Sequence, residues 1–197
     1  MARKKSSRLA AEQFIEASNR IWDFTQECVS AGLGKQAVTW AYEMALIKIA
    51  LEFEKLMLGF LVAAVNRDSS TFSAAKGVDF PPHMNQAVCE YLITGGGFFD
   101  VKDRGHLLGH IKKCVGADHP LYAAVAQAKY RSSLDLLMPL RNFAAHESPQ
   151  SKKAAKAAAA NSRMSSAGAH IKIGSRLWDL MADLERLAND IADAAPY

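Results

Sequence analysis

The chain has 197 residues, enough for one globular domain with a sizeable core, and a second domain is not required. Hydrophobic residues make up 50% and charged residues 22%, a globular balance rather than that of a disordered chain. The formal net charge of +4 is compatible with a nucleic-acid partner but too small to argue for one by itself. Cys28, Cys89 and Cys114 are odd in number and widely scattered, which reads as reduced cytosolic thiols and not as a disulfide framework. Met1 to Arg8 is basic and polar with no apolar run behind it, so no signal peptide is expected.

Residues 1–7 read as a disordered basic arm carrying Arg3, Lys4 and Lys5, which with Arg8 either touches RNA backbone or is merely solvated. From Arg8 to about Ala31 the spacing predicts a helix with Leu9, Phe14, Ile15, Ile21, Trp22, Cys28 and Val29 on a broad apolar face. Ala31-Gly32-Leu33-Gly34 ends it. Lys35 to about Arg67 is the most apolar stretch and the expected central helix. Glu43, Lys48, Glu52, Glu54 and Lys55 interrupt it, which argues against a membrane span. Lys48, Glu52, Lys55 and Gly59 fall on one stripe, the expected wet face. Glu54 instead shares a face with Ile47, Leu51, Leu58, Leu61 and Val65, where an acid must be paired or protonated. It is a rim position, or it makes a structural hydrogen bond, or it is a partner of Arg141 or His146 that orients a site.

Residues 66–83 read as a loop, and Met84 to Ile93 as a short helix ended by Gly95-Gly96-Gly97. No strand precedes those glycines and no Gly-Lys-Ser/Thr follows them, so they read as a flexible connection and not a phosphate cradle. Lys102 to Val115 is the next helix, with His106, His110 and Cys114 at i, i+4 and i+8. Two histidines can hold zinc only with further ligands, and Cys114 drifts about 80° from His106 on an ideal helix. A surface or interface cluster is therefore favoured and no metal is expected.

His119-Pro120 opens a long helix running to about Glu147, in which Pro139 should cause a kink. Near its end stands Leu140-Arg141-Asn142-Phe143-Ala144-Ala145-His146. Arginine supplies a permanent charge and a fork of donors that matches a phosphate. Histidine takes or gives a proton near neutrality. Asparagine both donates and accepts, and can hold an imidazole or a ribose hydroxyl. These three suffice, without a metal, for attack of a ribose 2′-hydroxyl on the adjacent phosphodiester. Arg141 and His146 lie about 140° apart around a regular helix, whereas Asn142 and His146 share a face with Asp135 and Arg131. Convergence on one phosphate needs a bent helix or two copies of it facing each other. Leu137, Met138, Leu140 and Phe143 are the candidates for apolar surface between two copies.

Ser148 to His170 is of low complexity, and its alanines favour a short helix with Lys152, Lys153 and Lys156 on its charged side. Those lysines either track RNA backbone beside the site or form a solvated face. Ile173 to Ala194 closes the chain as an amphipathic helix with Leu177, Trp178, Leu180, Met181, Leu184, Leu187 and Ile191 facing the core.

The Arg-x-x-x-x-His spacing of Arg141 and His146, with Asn142 directly after the arginine and Ala145 before the histidine, resembles the signature of the HEPN superfamily. The resemblance extends over roughly residues 8 to 195 through the late placement of the motif and the earlier apolar helix with Glu52-Phe53-Glu54-Lys55. It implies a metal-independent endoribonuclease of toxin, antiphage or stress systems, with no cofactor and with two motifs brought into one cleft by a two-fold homodimer. It also implies cleavage products with a 2′,3′-cyclic phosphate. Toxins of this family that are paired with a minimal nucleotidyltransferase tend to carry a tyrosine two places after the histidine. Ser148 stands there, so that form of neutralisation by an antitoxin is not expected. The chain thus reads as a single all-α bundle of about five or six helices, cytoplasmic, with RNA as substrate. Its site would be Arg141, Asn142, His146 and Glu54. The alternative is a non-catalytic helical module that binds RNA or a partner protein.

Overall fold

The apolar run from Lys35 to Arg67 is too long to satisfy with one neighbour, and the rest of the chain wraps around it. A computed structural model describes residues 6–195. Among them are ten α-helices, one 3₁₀ turn and no strand, an all-α architecture with more helices than the sequence pattern suggests. Arg3, Lys4 and Lys5 lie outside the described residues. Ser6 and Ser7, expected in the arm, instead start the first helix.

Helix α1 (Ser7–Ser30) is capped by Ser6, whose hydroxyl accepts from the Leu9 N–H. Its buried side is built on Ala10, Ala11, Phe14, Ala17 and Ser18, while the expected core residues Leu9 and Val29 are exposed. Small residues let α1 lie close to its two neighbours. The first is α2 (Lys35–Arg67), and the second is the last helix, α10 (Arg176–Ala194). Ser7 Oγ donates to the Ala195 carbonyl (2.6 Å) and Ser18 Oγ to Glu185, so α1 and α10 run antiparallel.

Helix α2 spans about 50 Å at the usual rise per residue. Leu46, Ile49, Phe53, Met57, Leu61 and Val65 of this helix are buried in the core, and it touches most other elements. Lys48, Glu52 and Lys55 do face outward, with Glu52 bonded to Lys55 (2.7 Å) and not to Lys48. Gly59 is buried, contrary to its expected place on the wet stripe.

The expected loop over 66–83 contains helix α3 (Ser70–Lys76), started by Asp68 Oδ1 accepting from the Ser70 N–H (2.9 Å) and closed by Gly77 at φ 65°. Only Phe72 of that helix is buried, stacked on Phe80, and one apolar anchor is too little to make a periodic signal. Helices α4 (Gln86–Thr94) and α5 (Arg104–Val115) fall where expected.

The long helix expected from His119 to Glu147 is broken. Helix α6 (Pro120–Ala126) stops at Gln127, whose backbone is extended (φ −57°, ψ 137°), and the 3₁₀ turn Ala128–Tyr130 leads into α7 (Arg131–His146). Two side chains from elsewhere hold the break. Arg104 donates to the carbonyls of Val125 (3.1 Å) and Ala126 (2.5 Å), the free acceptors at the end of α6. Tyr130 is buried and its hydroxyl donates to Asp190 on α10 (2.6 Å).

Helix α7 contains Pro139 and ends at Glu147, which takes a left-handed backbone (φ 46°). Ser148 then caps α8 (Pro149–Ala158), with Pro149 in its first turn. The short α9 (Ala167–Ile171) lies against α2, where the Gly168 N–H donates to the buried carboxylate of Glu43 (3.2 Å). A Cβ on Gly168 would stand 2.2 Å from the Thr39 carbonyl, so the close approach of α9 requires glycine there.

Leu137, Met138, Leu140 and Phe143 of α7 are all buried in the core of this one chain. They cannot supply the apolar surface of a dimer interface, because they already cover α2 and α8. Trp178 also departs from its expected core position. It is about half exposed and packs edge-on against Trp22. Among the described residues no helix is long and apolar enough to cross a membrane, and Cys28, Cys89 and Cys114 are all unpaired.

Candidate functional site

Glu54 and Arg141 meet where α2 crosses α7. The Glu54 carboxylate is buried, and Oε1 accepts from the Val101 backbone N–H (3.2 Å). Arg141 Nη2 stands 3.5 Å from both carboxylate oxygens, a long ion pair, and Nη1 donates to Asn142 Oδ1 (2.9 Å). Glu54 is therefore no rim position: it makes the structural hydrogen bond, to Val101, and it also meets Arg141 and not His146. Burial pushes the Glu54 carboxyl above its ordinary value, against the Val101 hydrogen bond and the Arg141 charge, and nearby Asp100 pushes the same way.

Asn142 does share a face with His146 on helical spacing, but its oxygen is taken by Arg141. His146 sits in the exposed last turn of α7, and no side-chain hydrogen bond or ion pair reaches it among the described residues. One chain thus joins Glu54, Arg141 and Asn142 and leaves His146 apart. Arg131 and Asp135, on the stripe extended back from His146, pair with each other (3.5 Å).

Comparison with models of protein families, with characterised proteins and with solved structures finds no match.

The three lysines of α8 do lie together. Lys152, Lys153 and Lys156 line a shallow groove of about 680 Å³ with Pro149, Ala160 and Asn161, and the Lys152 ammonium stands 5.8 Å from the Phe143 ring centroid. That contact joins the basic groove to the end of α7. Ser148, two places after His146, is committed to capping α8 through Ser151.

On α5, His106 and His110 bring their Nε2 atoms to 3.2 Å, while Lys102 N–H donates to His106 Nδ1 (3.4 Å). If both rings are neutral, that donor leaves the His106 proton on Nε2 and makes His110 Nε2 its acceptor. Burial lowers the His110 pKa, with His106 and Lys113 adding to the effect. Cys114 is buried, and burial raises its thiol to about 11, so it is no nucleophile at neutral pH. Among the described residues no three His, Cys, Asp or Glu side chains are grouped to hold a metal ion.

Sequence reasoning missed a larger polar groove of about 760 Å³ between α7 and α10, lined by Arg131, Ser133, Asp135, His170, Arg176 and Asp183 among others. His170 is buried there, with Nδ1 within 3.1 Å of both Arg176 Nη1 and Asn161 Nδ2. Its pKa is lowered by burial and then by the Arg176 charge. The contributing residues are spread over more than forty positions of sequence with no shared spacing, so no local pattern announces them.

Proposed function

We propose that this protein is a metal-independent endoribonuclease, acting as a toxin or antiphage effector, that cleaves RNA by attack of a 2′-hydroxyl on the adjacent phosphodiester. The observation that carries the reading is the placement of Arg141, Asn142 and His146 within the last two turns of α7, with Arg141 anchored from below by a buried carboxylate. In this scheme His146 handles the proton of the 2′-hydroxyl or of the leaving group. Arg141 stabilises charge on the phosphate with a donor not turned toward Glu54 or Asn142. Asn142 positions the imidazole or the ribose, and the products carry a 2′,3′-cyclic phosphate. Exposure of His146 leaves it free to meet a substrate, and the lysines of α8 lie just beyond it to follow the RNA backbone.

A second copy of the chain completes the site in this reading, since one chain leaves His146 apart from Arg141. The apolar part of such an interface must come from side chains other than Leu137, Met138, Leu140 and Phe143. Incubation of purified protein with labelled tRNA and mRNA in EDTA, beside His146→Ala, tests the activity. Loss of cleavage in the variant supports it, and equal cleavage by both proteins overturns it.

A second reading, a non-catalytic helical module that binds RNA or protein, is favoured by one observation. The Arg141 guanidinium already serves Glu54 and Asn142, as a purely structural arginine would. The same experiment separates the two: RNA retained on the protein but left uncut selects the second.

A further inference from the structure

The groove that ends at Arg141 carries chemistry that the cleavage scheme does not use. It encloses about 490 Å³, within the range of small-molecule sites. Leu51 and Leu58 of α2 and Phe99 form its apolar wall, and Phe98, which also lines it, is 100% exposed. Leu51 is itself 40% exposed, so the aromatic ring does not stand alone as an isolated surface hydrophobe. The polar lining includes Glu90 and Asp100, and among the described residues neither carboxylate has a side-chain hydrogen bond or ion pair.

The segment that presents Phe98 has a defined shape. Gly95 and Gly96 both take left-handed backbone (φ 65° and 78°), the Gly96 N–H donates to the Tyr91 carbonyl (3.0 Å) and the Gly97 N–H to that of Thr94 (3.3 Å). A Cβ on Gly96 would stand 2.7 Å from the Tyr91 ring, an exposed side chain that can swing aside, so it is φ that calls for glycine there. Phe99 is held edge-on to His110, with ring centroids 5.6 Å apart.

Charge selects the occupant. Of the charged side chains along this groove, Glu54 pairs with Arg141 and Lys55 with Glu52, which leaves Glu90 and Asp100 as open acceptors and favours a flat group rich in N–H donors, with a phosphate left to the Arg141 end. Guanine fits that description. Its N1–H and exocyclic N2–H₂ lie side by side and match the two oxygens of a carboxylate. Adenine and cytosine put a ring acceptor beside their amino groups, and uracil flanks its single donor with carbonyls.

We propose that this groove is a guanine-binding subsite, in which the base stacks on Phe98 and donates its N1–H and N2–H together to one unpartnered carboxylate, that of Glu90 or Asp100. The proposal rests on the RNA-cleavage reading for its substrate class, with the subsite selecting which nucleotide lies next to Arg141. It can be measured without cleavage.

The test is calorimetric titration of the full chain in EDTA with 3′-GMP, 3′-IMP, 3′-AMP, 3′-CMP and 3′-UMP. It is repeated for Phe98→Ala and for the double variant Glu90→Gln, Asp100→Asn. All three side chains are exposed, so thermal melts should match the parent protein. Expected is 3′-GMP bound roughly tenfold or more tightly than the other three common nucleotides, the scale of one good bidentate pair. Inosine monophosphate, lacking the N2 amino group, should fall between. Phe98→Ala should weaken every nucleotide by about tenfold through lost stacking, and the double variant should abolish the preference for guanine. Equal affinity for all bases, no binding, or binding unchanged in these variants overturns the subsite. So does tighter binding of an arginine-rich peptide that the same variants abolish, which would make the groove a docking site for a basic protein. Binding of 3′-GMP by a chain that cuts no RNA supports the subsite and overturns the nuclease reading. His146-dependent cleavage with no guanine preference in binding does the reverse.

Discussion

Arg141 and Glu54, 87 residues apart in the chain, stand 3.5 Å from each other at the crossing of α7 and α2. The arginine side chain is 26% exposed and the glutamate 8%, so the pair has a dry end and a wet end. Glu54 has a second anchor in the Val101 N–H, which fixes the carboxylate whether or not the arginine stays. Removing the acid therefore has a larger structural consequence than removing the base.

Glu54→Leu should destabilise the fold by about 1–3 kcal/mol, because it leaves the Val101 N–H without its acceptor and the arginine without its counter-charge. Glu54→Gln keeps an acceptor for Val101 and should lose less. Urea midpoints of the two variants and the parent would check the order, and variant midpoints equal to the parent's would show the pair to be structurally idle.

Stability should also depend on pH through this residue. The folded state raises the Glu54 pKa above the ordinary 4.5, chiefly by burial. A raised carboxyl contributes stability that is fully present below its unfolded pKa and is withdrawn as pH rises through its folded pKa. The advantage of the parent protein over Glu54→Gln should accordingly be greatest in acid below 4.5 and shrink toward neutrality. Unfolding titrations of both proteins across that window measure the slope, and a difference that grows with pH contradicts the sign.

His146→Ala should lower the rate of RNA cleavage by about 10²–10⁴ while leaving the melting temperature in place, since the side chain is exposed. EDTA should have no effect on the parent. Arg141→Lys should also cleave poorly, because an ammonium cannot reproduce the planar fork that serves Glu54, Asn142 and a phosphate together. Cleavage that requires added Mg²⁺ would dispose of the mechanism.

Mixed dimers test the composite site. Arg141→Gln and His146→Ala proteins, each inactive alone, should regain part of the activity when mixed, if each residue acts from a different copy. Light scattering at micromolar concentration should show a dimer. A monomer with full activity would mean that one chain brings His146 to Arg141 by itself.

Arg104→Ala should loosen the α6–α7 break by freeing the Val125 and Ala126 carbonyls, at about 1–2 kcal/mol. Hydrogen exchange at Gln127 to Tyr130 would report it, and unchanged protection there would show that Tyr130 and Asp190 hold the break alone.

Periodicity alone placed α2, α5 and α10 within a few residues of their ends, because each is a long amphipathic or apolar run bounded by a capping residue or glycine. It also singled out Glu54, since an acid on an apolar face must find a partner. Which partner it finds was decided by the crossing of α2 with α7 and by the Val101 N–H, neither of which has a local signature. The break at Gln127 was invisible for a similar reason: its cause is an arginine 21 residues upstream of Val125 and an aspartate 60 residues downstream of Tyr130. The α7 residues Leu137, Met138, Leu140 and Phe143 show the limit from the other side. Sequence marks them as apolar, but only packing tells whether an apolar face meets this chain's own core or another copy, since burial draws on the same hydrophobic effect in both cases.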